Sequence, residues 1–436
     1  MDQRTTDRTI VPTRPGDLLR FAAVGSVDDG KSTLIGRLLH DTRQLFDDQL
    51  AAVGAASRRR GAGDLDLSFV TDGLRAEREQ GITIDVAYRY AATPRRSFVI
   101  ADCPGHVQYT RNMATGASTA DLALVVVDAT TGLREQTRRH VCIASLLGVG
   151  TLVVVANKMD RVAWDPDAHG RVVTEAEELA ETLGLSVAAV VPASALLGDN
   201  VAVRSAATPW YHGPTVLDAL EEAPAGVWSG AGGSRLAVQW VIRRPGGGRA
   251  YAGMVTGGPM RPGDAVAVLP SGQVATITGL STADGPLERA APGRSVAVEL
   301  SDDLDVGRGD LLAAGDEPPT VTRNVEATVC WFASAPLHAG DRFHVKHTTR
   351  VTRGTIDTVI ERVDMGSLHR QPATSLTEND IGTVRLTTAD PLVVDPYRDN
   401  RVTGSFVLVD PATHATVGAG MVTRPIATEP DGLPAL

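Results

Sequence analysis

Short apolar runs alternate with amphipathic stretches through the first half of the chain. Runs at 18–24, 86–91, 97–101, 121–127, 151–156 and 187–191 have strand length, and several are apolar throughout. Continuous apolar runs of that length read as strands buried on both faces. The stretches 32–40, 42–58, 107–116, 134–147, 171–183 and 215–221 carry apolar positions at helical spacing. This alternation predicts βαβ units, and so an α/β domain over 17–222 with a mostly parallel, doubly wound sheet.

The texture changes after Ala223–Ser234, a run of small residues that reads as a linker. From Arg235 onward, short β-rich segments are punctuated by turns such as Arg261-Pro-Gly-Asp264 and Ala291-Pro-Gly293. A second break falls at Ala314-Gly-Asp-Glu-Pro-Pro319, followed by another β-rich block. Close strands with Gly/Pro turns predict two all-β barrels, over 235–314 and 320–425. Residues 1–16 are polar and read as a mobile tail.

Composition narrows the class. At 436 residues the chain exceeds one ordinary core. With 43% hydrophobic but 4% aromatic residues, the cores must be aliphatic. A net charge of −10 argues against a general nucleic-acid binder. Three scattered cysteines form neither a disulfide framework nor a metal spacing. No run reaches membrane-span length, and the first residues hold no apolar signal core. A cytoplasmic protein is therefore expected.

Gly25-Ser26-Val27-Asp28-Asp29-Gly30-Lys31-Ser32 fits the phosphate-loop pattern G-x-x-x-x-G-K-[ST], between a strand and a helix. Glycines let backbone N–H groups converge on phosphate oxygens at a helix N-terminus, where Thr33 also sits. Lys31 is expected on the β- and γ-phosphates and the Ser32 hydroxyl on Mg²⁺. The chain has only three lysines, Lys31, Lys158 and Lys346. Elsewhere it uses arginine, so a lysine at 31 implies a need for a compact ammonium.

Later segments name the base and the reaction. Asp102-Cys103-Pro104-Gly105 follows a strand, which lets Asp102 hold a water on Mg²⁺ and the Gly105 N–H face the γ-phosphate. In Asn157-Lys158-Met159-Asp160, the Asp160 carboxylate matches guanine N1–H and the 2-amino group, and adenine offers no such edge. Ser194-Ala195-Leu196 is placed to contact the base oxygen. In Arg78–Asp85, Thr83 is the candidate second hydroxyl on Mg²⁺, in a segment that orders with GTP. His106 is the candidate to orient the attacking water. No arginine in these motifs is an evident finger, so slow intrinsic hydrolysis is expected. Lys346 reads either as an exposed strand cation or as a contact that arginine does not replace.

The order G-x-x-x-x-G-K-S, R-E-x-x-G-I-T-I, D-C-P-G-H, N-K-M-D and S-A-L resembles the translational GTPase superfamily typified by elongation factor Tu. Gly25–Thr42, Gly198–Val201, Pro209–Thr215, Tyr251–Gly253, Thr403–Asp410 and Gly418–Met421 resemble one branch: the GTPase subunit of heterodimeric bacterial sulfate adenylyltransferase. Translation factors usually carry His where this loop has Ser26 and Asp29. The resemblance implies a GTPase domain followed by two β-barrels. It also implies a small partner subunit that makes adenosine 5′-phosphosulfate and pyrophosphate from ATP and sulfate, driven by GTP hydrolysis here. Switch segments around Thr83 and His106 would signal to that partner. The competing reading is a translation-factor-like GTPase that delivers aminoacyl-tRNA.

Overall fold

The computed structural model describes residues 18–45, 53–54, 67–70, 85–106, 109–224, 233–244, 247–315, 318–364 and 367–426. Contacts divide the chain into two units, Met1–Gly226 and Val227–Leu436.

The first unit runs β1 (Leu18–Val24), α1 (Lys31–Asp41), β2 (Ala87–Ala92), β3 (Ser97–Asp102), α2 (Thr110–Ala117), β4 (Leu122–Asp128), α3 (Glu135–Leu146), β5 (Thr151–Asn157), α4 (Pro166–Leu183), β6 (Ser186–Pro192) and α5 (Val216–Glu222). The strands form one six-stranded sheet in the order β2-β3-β1-β4-β5-β6. Only β2, which pairs with β3, is antiparallel. Every residue of Leu122-Ala-Leu-Val-Val-Val-Asp128 is buried, because β4 lies between β1 and β5 with both faces covered. That is why this run is apolar without alternation. The core is mostly aliphatic: Leu19, Leu34, Ile35, Leu38, Val126 and Val153 pack in one cluster with Phe21 and Phe98. Each apolar side chain buried there contributes roughly 1.5–3 kcal/mol.

Two helix boundaries differ from the sequence pattern. The helix expected over 42–58 does not begin at 42: α1 ends at Asp41, and Arg43 turns to φ 56°. Residues 46–52 and 55–58 lie outside the described residues. The helix expected from 171 starts at Pro166, five residues earlier. Asp165 caps it by accepting the Asp167 N–H at 3.0 Å, and Pro166 occupies the first helical position, where a missing N–H costs nothing. The first turn is polar, so the apolar spacing starts late. Helix α5 opens on a reciprocal Thr215/Asp218 capping box. Arg96 reaches across to its other end, donating to the carbonyls of Leu220, Glu221 and Ala223.

The second unit holds two antiparallel barrels, each closed from six strands. The first barrel runs from Ser234–Ala237 to Leu311–Ala314, and pairing of Ala265–Leu269 with Gln273–Thr282 closes it. The second runs from Thr320–Trp331 to Thr416–Ile426, and Arg342–His347 paired with Arg350–Val363 closes it. Closure removes the free edges that invite aggregation. Arg235, 3% exposed, joins the barrels through a two-pronged contact with Asp395 at 3.2 Å, and Arg350 reaches Asp310 at 3.0 Å. Lys346 is exposed on the strand Arg342–His347. The described helices include none long and apolar enough to cross a membrane.

Candidate nucleotide site

The carboxyl ends of β1, β3, β5 and β6 carry the loops that sequence reasoning singled out. This is where ligands bind in open α/β sheets. β1 ends at Val24 and α1 begins at Lys31, so Gly25–Gly30 is the whole connection. Gly30 caps α1 with φ 94°, and a Cβ there would run into the Asn157 amide. Only glycine satisfies both demands. The helix N-terminus leaves its first N–H groups without helical partners and lends the loop partial positive charge.

Lys31 folds back over the loop. Its Nζ donates to the carbonyls of Gly25 at 2.9 Å and Ser26 at 2.8 Å. Burial pulls its pKa below the usual lysine value, against the opposing carboxylates of Asp102 and Asp29. Asp29 accepts the Ser26 N–H at 2.8 Å, and burial raises its pKa, opposed by that bond and by Lys31. Ser32 and Thr33 lie half-buried in the first turn of α1. Asp102, 1% exposed, ends β3. Cys103, Pro104 and Gly105 follow it, all buried. The Cys103 thiol points at the Ala101 and Met113 carbonyls, and burial drives its pKa up, so it is a neutral packing group. A Cβ on Gly105 would stand 2.7 Å from Lys31 Nζ and 3.2 Å from the Val27 nitrogen. Gly105 therefore lies directly over the phosphate loop, next to the ammonium. His106 is half-buried, edge-on to Tyr109 at 6.2 Å. Thr83 lies outside the described residues.

The base-side segments are wired into that loop. The Asn157 amide donates to the Asp29 carbonyl at 2.7 Å, and its Oδ1 accepts the Ala195 N–H at 2.9 Å. One side chain thus ties the phosphate loop to Ser194-Ala195-Leu196. Lys158 takes the left-handed conformation, φ 62°, and its Nζ reaches the Asp28 carbonyl at 2.5 Å and Asp128 Oδ2 at 2.7 Å. Asp28 also has a positive φ, 65°. Two such non-glycine residues facing each other are the strained backbone expected of a functional loop. Met159 is buried and its N–H bonds the Ala193 carbonyl at 3.1 Å. Asp160 sits half-buried in the single turn Met159–Val162. Ser194 is fully buried, its Oγ accepting the Leu197 N–H at 3.2 Å, while Leu196 is exposed.

Four supporting residues escaped the sequence reading. Arg37 on α1 donates to the carbonyls of Ala195 at 3.2 Å and Leu196 at 2.6 Å, pinning the base-side loop. Asp128 at the end of β4 fixes Lys158; burial raises its pKa, but the Lys158 and Thr130 bonds outweigh that and leave it lowered. Thr137 meets Ser26, Oγ1 to Oγ at 2.8 Å. His140, completely buried, bonds Gln136 Nε2 through its own Nε2 at 2.7 Å. Gln136, Thr137 and His140 at i, i+1 and i+4 put a polar patch on one face of α3, which was the signal available in the sequence.

An amide donor aimed at His140 Nε2 needs a lone pair there, so the ring is neutral. Burial accordingly lowers its pKa to about 3. A depressed folded-state pKa means the unfolded chain binds the extra proton first. Stability is then full above about pH 6.5 and is lost as pH falls from there toward 3. Between pH 7.5 and 5.5 the wild type should lose about 1 kcal/mol more than His140→Gln in urea denaturation of this domain. Equal losses would show that His140 is protonated in the fold.

Magnesium is a hard cation that takes oxygen ligands and keeps several waters. The Ser32 hydroxyl and the buried Asp102 carboxylate are such oxygens. Among the described residues no three His, Cys, Asp or Glu side chains form a metal cage. The residues fit a cation held largely by phosphate and water rather than by the protein.

The chain is similar to known proteins along most of its length. A family model for the elongation factor Tu GTP binding domain matches residues 17–225, and one for the GTP-eEF1A C-terminal domain-like fold matches 324–423. The bifunctional enzyme CysN/CysC of Mycobacterium tuberculosis is 50% identical over 416 residues, 94% of this chain and 68% of that protein. Sulfate adenylyltransferase subunit 1 of Tolumonas auensis is 48% identical over 417 residues, covering 95% of this chain and 88% of its own. Among solved structures, sup35 complexed with GDP is similar over 98% of each chain at 23% identity, with a TM-score of 0.43.

Proposed function

The chain belongs to the sulfate adenylyltransferase subunit 1 family, with a GTP-binding domain of the elongation factor Tu type, and from that premise we propose that it hydrolyses GTP to drive sulfate activation on a partner subunit. The observation that carries this reading is the Asn157–Asp160 segment. It is bonded through Asn157 and Lys158 to the carbonyls of Asp29 and Asp28, which supports reading the two segments as the base and phosphate halves of one site.

In this reading the loop N–H groups of Gly25–Thr33 and the Lys31 ammonium hold the β- and γ-phosphates. Asp160 reads the guanine edge, Lys158 lays its stem along the base, and Ser194-Ala195-Leu196 meets the base oxygen. Ser32, Thr83 and, through water, Asp102 would hold Mg²⁺, which when bound offsets charge on the β- and γ-oxygens. The Gly105 N–H faces the γ-phosphate and His106 orients the attacking water. Adenosine 5′-phosphosulfate and pyrophosphate form from ATP and sulfate on a small partner subunit in a cytoplasmic heterodimer.

A translation-factor role predicts a steeply salt-dependent affinity for RNA, which a net charge of −10 does not favour. Affinity capture of the chain from its host separates the two. Recovery of a small ATP-binding subunit supports sulfate activation. Recovery of tRNA or ribosomes instead would overturn it.

A further inference from the structure

We infer that Arg134 is an arginine supplied within the chain to the γ-phosphate end of the nucleotide site. This rests on the reading that the site hydrolyses GTP.

Arg134 immediately precedes α3 and is exposed. Its Nη1 points at the Val27 carbonyl, 3.4 Å away, a length at which a hydrogen bond is weak. Among the described residues no carboxylate lies in ion-pair contact with it, although its charge acts on the buried Asp29 carboxylate of the same loop. Val27 is the central residue of the phosphate loop, and its nitrogen lies 3.2 Å from the point where a Gly105 Cβ would stand. Lys31 Nζ is 2.7 Å from the same point. The guanidinium therefore meets the same residue, Val27, whose nitrogen lies where the ammonium, Gly105 and the loop converge.

The backbone on both sides of Arg134 is anchored. The Leu133 N–H donates to Glu175 Oε2 at 2.7 Å, and Thr137 is bonded to Ser26 at 2.8 Å. Gly132 turns the loop with φ 70°. The segment holds its position while the long side chain keeps its freedom. An arginine that braced the loop would satisfy several carbonyls, as Arg96 does at α5 and Arg37 does at Ala195 and Leu196. Among the described residues Arg134 makes one long hydrogen bond, which a rotation of its side chain breaks.

In hydrolysis the water oxygen bonds to the γ-phosphorus and the bond to the β–γ bridging oxygen breaks. That bond's electron pair passes to the β-phosphate of GDP, and the water's proton passes to a phosphate oxygen. Charge builds on the bridging oxygen and the γ-oxygens. A planar fork of N–H donors released from Val27 meets it in two places. This supplies the cation that the sequence motifs lack.

The test uses single-turnover GTP hydrolysis by the full chain, together with the affinities for GDP and a non-hydrolysable GTP analogue. Arg134→Ala should slow hydrolysis about 100-fold while both affinities stay within about threefold of wild type. Arg134→Lys keeps charge but loses the fork, and should fall between. GDP–aluminium fluoride binding, which mimics the transferring phosphoryl group, should weaken in Arg134→Ala. Unchanged hydrolysis in Arg134→Ala overturns the inference. So does an equal loss of GDP affinity and rate, which marks a loop brace. A wild type that binds no guanine nucleotide overturns the parent reading as well.

Discussion

Asp160→Asn should turn this protein from a guanine binder into a xanthine binder. In the proposed site the carboxylate accepts two hydrogen bonds from the guanine edge, and each such charge-assisted bond contributes roughly 1.5–3 kcal/mol. Losing both corresponds to about a 10²–10⁴-fold drop in GTP affinity. The asparagine amide donates where the carboxylate accepted, and xanthine carries a carbonyl where guanine has its amino group. Competition of GDP and XDP for a fluorescent nucleotide on the variant should favour XDP. The fold should be unaffected, since Asp160 is half-buried and the turn that carries it is held by backbone bonds from Met159 and Trp164. Undiminished GDP preference would mean that another residue reads the base.

Lys31→Ala should abolish measurable GTP hydrolysis, a fall of about 10³-fold or more, because the proposed site sets the ammonium where charge develops. Lys31→Arg is the sharper variant. The two carbonyls that hold Nζ, with Gly105 close above it, leave space for a point charge and not for a fork. Arginine should therefore fail nearly as badly as alanine, in a chain that otherwise uses arginine almost throughout. Retained hydrolysis in Lys31→Arg would show that charge alone suffices. Folding should survive Lys31→Ala, because burial lowers the Lys31 pKa and its charged form is costly to the native state.

The parts of the site legible in the sequence are those whose chemistry is local. Gly25–Ser32 announces itself because turn, N–H cradle and cation are consecutive. Asn157–Asp160 does so because a strand end delivers four candidate base-reading residues in succession. Of the three lysines that stood out by rarity, Lys31 and Lys158 fold onto carbonyls of the phosphate loop, while Lys346 is exposed on a barrel strand. The supports were illegible because they act across the fold. Thr137 meets Ser26 from 111 positions away, and Arg37 holds Leu196 from 159. No spacing rule connects such pairs; only the sheet order places α3 behind the loop and α1 beside Ser194–Leu196. The late start assigned to α4 has a different origin. Apolar spacing begins at Val172, while Asp165 and Pro166 were cap signals that periodicity ignores. The barrels were legible in outline from their turns, but the buried Arg235–Asp395 joint spans 160 positions and left no trace in the pattern.

The central claim is that GTP spent on this chain drives sulfate activation elsewhere. The direct measurement is formation of adenosine 5′-phosphosulfate from ATP and sulfate by this chain together with its partner subunit, with and without GTP. Product should rise when GTP is hydrolysed, and the rise should vanish with Lys31→Ala on the same partner. Equal product with and without GTP would contradict the account.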